Sequence, residues 1–173
     1  MTTTTKSPQD VVEHLGKLIH GIKVAMMTTV DSDGSLRSRP MWTYDKDFDG
    51  ELWFFTNDHT HKVDEVQKDH HVSLAYSDPT RDRYVSVSGR CALIRDKAKA
   101  KELWNPALKA WFPQGLDDPN LALLRVSVEK AEYWDTPNSK MVQLVGFVKA
   151  VLTGDKYQPG DNQKLDRGAP RRN

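Results

Sequence analysis

Cysteine is almost missing from this chain: Cys91 is the only one in 173 residues, so no disulfide forms within the chain and no set of thiolates can hold a metal. Long hydrophobic runs are missing too. No stretch approaches the ~20 apolar residues that a membrane-crossing helix needs. The N-terminus, MTTTTKSPQD, lacks the apolar core of a secretory leader. Nor is there an excess of either charge, since 25 Lys and Arg face 24 Asp and Glu for a formal +1. The basic residues cluster only at the very end, which gives no electrostatic grip on nucleic acid. From these absences we expect a cytoplasmic protein with neither a membrane nor a nucleic acid as partner. Catalytic signatures are equally scarce. There is no GxSxG elbow and no HExxH, and no third ligand is spaced to join His59 and His61, or His70 and His71, on a metal. No metal is expected, and no side chain stands out as an acid, a base or a nucleophile.

What is present is enough for one core. With 38% hydrophobic and 28% charged residues, the chain suits a single soluble domain. Residues 1–6 form a polar, Thr-rich lead expected to be flexible, 7–154 the domain, and 155–173, rich in Pro, Gly and charge, a polar tail expected to be flexible. Ser7 and Pro8 open a helix whose Val11, Val12, Leu15, Leu18 and Ile19 share one face before Gly21 stops it. From Lys23 the pattern changes to short strands. Val24 to Val30 and Ser35 to Tyr44 flank a turn at Asp31 to Gly34, and a second turn, Asp45 to Gly50, leads to a third strand from Leu52. Strands are also predicted over His71–Ser77 and Arg83–Ile94, the latter with Gly89 marking a bulge or a close approach. Asp96 caps a second helical region that reaches Phe112 and is interrupted by Pro106. After a loop from Pro113 to Pro119, Leu121–Trp134 and Gln143–Thr153 are predicted as final strands around a turn at Thr136–Ser139. Six or seven antiparallel strands with two or three peripheral helices predict a mainly β fold, a closed or nearly closed barrel in preference to a sandwich.

The stretch LWFFTNDHTHKVDEVQK, Leu52 to Lys68, carries the most chemistry. A strand of alternating aromatic and aliphatic residues delivers the chain through Asn57, Asp58 and His59 to Thr60, an N-cap candidate, and straight into a helix. The first N–H groups of that helix, with Thr60, His61 and Lys62, have the chemistry of a phosphate cradle. A capped surface helix reads the same way, but a cation in the first turn is opposed by the helix dipole by ~0.3–1 kcal/mol, and an anionic ligand would reverse that sign. Arg37 and Arg39, two apart on one strand face, also need a counter-charge, either a ligand or an acidic residue on an adjacent strand. Pro40 removes a ladder donor, so this strand is an edge or opens toward a ligand. The five tryptophans, Trp42, Trp53, Trp104, Trp111 and Trp134, are core anchors or covers for a flat heteroaromatic ring.

In their order along the chain, SRPM (38–41), LWFFTN (52–57), THK (60–62) and YVSVSG (84–89) resemble the pyridoxamine 5'-phosphate oxidase-like FMN-binding split barrels. WNPALKAWFPQGLDDP (104–119), AEYWD (131–135) and GFVKAVLTG (146–154) narrow the likeness to the general stress protein subgroup. The resemblance covers roughly Val11 to Gly154. It implies a six-stranded antiparallel split β-barrel of Greek-key type, a homodimer, and FMN, or else FAD or a deazaflavin, held in clefts between protomers. By position it places Arg39, Pro40, Met41 and Trp42 beside the flavin ring and phosphate, Phe55, Thr56 and Asn57 under the ring, and Thr60, His61 and Lys62 at the phosphate. The oxidases carry Ser-Arg-Lys at that last turn, so His61 removes a bidentate fork. Their C-terminal arginine motif has no clear match, so oxidation of vitamin B6 is not implied. The expectation is a flavin-dependent oxidoreductase or a flavin reservoir. A deazaflavin- or haem-binding relative and a cofactor-free β-barrel interaction module are the alternatives.

Overall fold

The computed structural model describes residues 8–43, 48–135 and 161–166, with 8–11 and 161–166 as backbone only. The first helix, α1 (Pro8–Ile19), buries Leu15 and Leu18, as its spacing predicts. β1 (Val24–Val30) and β2 (Leu36–Trp42) then form a hairpin. Asp31 N–H donates to Ser35 C=O at 2.8 Å, and Gly34 takes a φ of +83° that glycine adopts without steric penalty. β3 (Glu51–Asn57) runs into α2 (His61–Lys68), and β4 (His71–Asp78), β5 (Arg83–Ile94), α3 (Lys97–Leu103), β6 (Leu121–Asp135) and β7 (Asp161–Asp166) follow.

Every strand pairing is antiparallel, and six strands lie in the order β2-β1-β4-β5-β6-β3. The sheet curls until its two end strands, β2 and β3, approach each other without pairing. That seam is the split of a split barrel, the mainly β architecture expected from the sequence.

One segment of the expected polar tail is a strand. Asp161–Asp166 forms β7, paired with Lys130–Asp135 of β6. The reason is an open edge. β5 covers one side of β6 from Leu123 to Asp135, whereas β3 covers the other side only from Leu121 to Ser127. The remaining edge donors and acceptors of β6 are taken up by β7. The expected strand Gln143–Thr153, its turn at Thr136–Ser139 and the first half of the turn Asp45–Gly50 lie outside the described residues.

Two apolar clusters share the sheet. The larger one, inside the curl, gathers Leu15, Met27, Phe54, Val66, Leu74, Val87 and Leu124 with their neighbours. The smaller one, on the other side of β3, joins Phe55 and Leu123 to Ala100, Leu103, Leu108 and Phe112. β3 is therefore covered on both faces, Phe54 by the first cluster and Phe55 by the second. Pro106 divides the second helical region as predicted: α3 ends at Leu103, and Asn105 caps a 3-10 turn, Pro106–Ala110, by accepting from Ala107 N–H at 2.9 Å. Asp96 caps α3 by accepting from Ala98 and Lys99 N–H at 2.9 and 3.0 Å. The expected loop from Pro113 contains a further short 3-10 turn, Gly115–Asp117. Cys91 is buried in the larger cluster, and burial pushes its thiol up to about 12, so it remains a protonated apolar side chain at neutral pH.

Gly89 faces a bulge in β6, where Glu129 is the extra residue between the partners of Ser88 and Gly89. The β5/β6 register shifts between Ser88 and Gly89, and a Cβ at Gly89 would lie 2.2 Å from the carbonyl oxygen of Ser127. Backbone cannot yield as a side-chain tip does. Gly89→Ala is expected to lower the unfolding free energy by about 2 kcal/mol through overpacking, measured as a lower urea midpoint with unchanged slope.

Candidate functional site

Pro40, Met41 and Trp42 on β2, Phe55, Thr56 and Asn57 on β3 and Lys62 on α2 line one cleft at the seam, about 510 Å³ in volume. All of these residues were expected at a ligand site. Val24, Leu108, Trp111 and Phe112 complete the lining. Trp111 is one of the tryptophans expected as core anchors or ring covers, whereas Leu108 and Phe112 were expected only as part of the second helical region. What brings them here is the 3-10 turn after Pro106, which folds this segment over Phe55 instead of continuing α3. Val24 joins through its register opposite Trp42.

The walls are mostly aromatic and aliphatic, and they brace one another. Phe55 lies 5.8 Å from Trp104, edge to face at 82°, and 6.3 Å from Phe112, centroid to centroid. Trp42 and Trp111 approach to 6.0 Å at 44° while both stay exposed. At the polar end, Asn57 shapes the loop between β3 and α2. Its side-chain oxygen accepts from His59 N–H at 3.0 Å, and its carbonyl accepts from the hydroxyls of Thr56 at 3.2 Å and Thr60 at 3.0 Å. Thr60 therefore occupies the N-cap position with extended backbone but does not cap with its side chain. The hydroxyl is committed to Asn57.

Lys62 is the cation of the cleft. Burial is the main cause that lowers its ammonium below the ordinary value of 10.5; Arg39 adds to the lowering and Glu65 opposes it. Thr60, His61 and Arg39 are not among the lining residues. His61 is exposed on the first turn of α2. The Arg39 guanidinium faces inward. It donates from Nη2 to Glu65 Oε2 at 2.8 Å and from Nη1 to Thr29 Oγ1 at 2.7 Å. Arg37 pairs instead with Asp31 across the hairpin turn, Nε to Oδ2 at 2.6 Å. Each arginine thus has an acidic partner, which lies in the hairpin turn for Arg37 and on α2 for Arg39 and in neither case on an adjacent strand. Glu65 and Thr29 are the polar residues that the sequence pattern passed over.

Two further histidines, His59 and His71, belong to local pairs. His59 Nε2 lies 3.3 Å from Asp58 Oδ1, Arg95 Nε donates to Asp58 Oδ2 at 3.1 Å, and His71 Nδ1 lies 2.8 Å from Asp69 Oδ1. Among the described residues, no three His, Cys, Asp or Glu side chains come together as a metal-binding group, and no helix is long and apolar enough to cross a membrane.

Fold and cleft together define the class: an antiparallel split barrel with an aromatic slot in its seam and a cation at one end of the slot. The family model described as pyridoxamine 5'-phosphate oxidase like matches residues 10–158. The chain belongs to that family, among its general stress proteins. It is 31% identical to the general stress FMN/FAD binding protein of Xanthomonas citri, over 76% of this chain and 92% of that one, with a TM-score of 0.64. It is 30% identical to protein bli-3 of Neurospora crassa over 161 residues, 87% of this chain and 77% of that protein. A protein from Clostridium acetobutylicum related to general stress protein 26 shares the fold with a TM-score of 0.67 at 19% identity, over 93% of this chain and 96% of that one.

Proposed function

We propose that the chain binds a flavin, FMN in the first place and FAD as a variant, in the cleft between β2, β3 and α2. One observation carries this: a desolvated ammonium, Lys62, stands at the end of an aromatic-walled slot of about 510 Å³. An ammonium in that setting is stabilised by an anion, and a flat apolar slot suits a planar ring. β2 and β3 are the ends of the six-stranded path, so their unpaired edges border the seam and supply backbone N–H groups for the polar side of a ring. The Xanthomonas citri relative, described as an FMN/FAD binding protein, points the same way.

A bound flavin would supply hydride or single-electron chemistry of its own. The protein's part is to bind, orient and shield. Pro40, Met41 and Phe55 would wall the ring, Thr56 and Asn57 hold the turn beneath it, and Lys62 meets the phosphate. The chain then serves as a flavin-dependent oxidoreductase or a flavin reservoir. Its role is not expected to be that of a true pyridoxamine 5'-phosphate oxidase.

A homodimer is part of the proposal. Register places Trp42 opposite Val24, Met26 opposite Pro40 and Ala75, and Tyr84 opposite Trp134, all on one face of the sheet. Val24, Met26, Trp42, Tyr84 and Trp134 are exposed there. Trp42 connects this apolar face with the cleft, so a second copy covering the face would also close the slot.

The test is a thermal-shift titration of the purified chain with FMN, FAD and a deazaflavin, beside light scattering for the oligomer. FMN at ~100 times its Kd should raise Tm by about 5 °C, because a ligand specific to the native state stabilises it. A colourless protein whose Tm ignores every flavin would sink the proposal and favour a cofactor-free barrel.

A further inference from the structure

Helix α2 turns Val63, Glu65 and Val66 into the barrel, so a carboxylate only 5% exposed lies among aliphatic neighbours. A buried ion pair is poor evidence for stability, since desolvation of both charges offsets most of their attraction. Its best-attested use is to fix one arrangement. What Glu65 fixes is Arg39. The guanidinium donates to Glu65 and to Thr29, and the Thr29 hydroxyl donates to the same carboxylate oxygen, Oε2. Thr29 is 1% exposed. Its hydroxyl accepts from the arginine and donates to the glutamate, so the three side chains form a closed ring of hydrogen bonds.

This ring leaves capacity unused. A guanidinium has five N–H donors in a rigid plane, and two bonds go to Thr29 and Glu65. The Arg39 side chain is 22% exposed, and the next residues, Pro40 and Met41, form the cleft wall. Arg39 also lies close enough to Lys62 to help lower its pKa. Two cations and one carboxylate leave one positive charge uncompensated.

Building on the flavin proposal, we propose that Thr29 and Glu65 are positioning residues for the anion-binding end of the cleft: they anchor the Arg39 guanidinium just behind the lining, close to Lys62, so that its positive charge adds to that of Lys62 on one phosphate. Neither residue touches the ligand. Within flavin binding, their effect is confined to phosphate recognition.

The experiment compares FMN with riboflavin, which has the same ring and lacks the phosphate, by fluorescence titration of the full chain. Thr29→Val and Glu65→Asp keep the net charge while removing the hydroxyl or withdrawing the carboxylate by one methylene. In each, the Kd for FMN should rise about tenfold, the cost of one misaligned charge-assisted hydrogen bond, while the Kd for riboflavin stays at the wild-type value. Thr29→Ser, which restores the hydroxyl, should return the FMN-to-riboflavin ratio to within about twofold of wild type. Parallel weakening of both flavins, an unchanged ratio in both variants, or a Thr29→Ser variant as impaired as Thr29→Val would overturn the inference while leaving flavin binding in place. A wild-type chain that binds neither flavin would overturn the flavin proposal and this inference with it.

Discussion

Arg39→Ala is expected to lower the unfolding free energy by about 3 kcal/mol, near the bottom of the range for breaking one side of a buried ion pair. The cost comes from what remains behind. Without the guanidinium, Glu65 keeps its carboxylate at 5% exposure, and its nearest polar company is a Thr29 hydroxyl that has lost its own donor. The lower part of the range applies because the Arg39 side chain retains 22% exposure, so water reaches the gap. Urea denaturation followed by far-UV circular dichroism would measure the loss. The double variant Arg39→Met with Glu65→Leu should recover most of it, since an apolar pair of similar volume is often neutral or stabilising in place of a buried ion pair. A single-variant loss under ~1 kcal/mol would show that the pair is no stronger than an ordinary surface bridge. Flavin affinity of Arg39→Ala is interpretable only below its shifted melting range.

That result bears on how much of the site could be read from the sequence. Lys62, Pro40 and Trp42 could be singled out from local signals, since Thr60 and Lys62 mark a helix start, Pro40 an edge strand and a tryptophan a candidate ring cover; Met41, Phe55, Thr56 and Asn57 were placed at the ligand only by the family resemblance. The strand alternation of Leu52 to Thr56 was visible as well. Its consequence was not, since β3 buries Phe54 on one side and Phe55 on the other, and two-sided burial depends on where the 3-10 turn after Pro106 comes to rest. Glu65 escaped for a different reason. A glutamate on a short polar helix reads as solvent-facing, and its partners Arg39 and Thr29 are separated from it by 26 and 36 positions. Nothing in the helical spacing signals them. β7 was hidden in the same way, because Asp161–Asp166 has no apolar alternation and pairs through backbone groups at the edge that β3 leaves open.

Lys62→Ala should weaken FMN by about 1.5–3 kcal/mol, or roughly 10- to 150-fold in Kd, the worth of a hydrogen bond to a charged group. Riboflavin binding should not change. The apo protein tells the two roles of Lys62 apart. Burial, reinforced by Arg39, lowers the ammonium below 10.5, so the folded chain holds this proton less tightly than the unfolded chain does. In the alkaline window below 10.5, this group therefore makes stability rise with pH, as the burden of a desolvated charge is lifted. Removing it should leave the apo melting temperature unchanged or slightly raised. A phosphate reverses the balance by stabilising the charged form, so FMN affinity should fall as pH rises through the native pKa of Lys62, and Lys62→Ala should flatten that fall. Isothermal titration of both proteins across the alkaline range, with riboflavin as the control for flavin-ring ionisation, measures the difference. An FMN affinity that is unchanged in Lys62→Ala, or a pH profile identical in the two proteins, would take the phosphate away from this end of the cleft and leave the helix start as an ordinary surface turn.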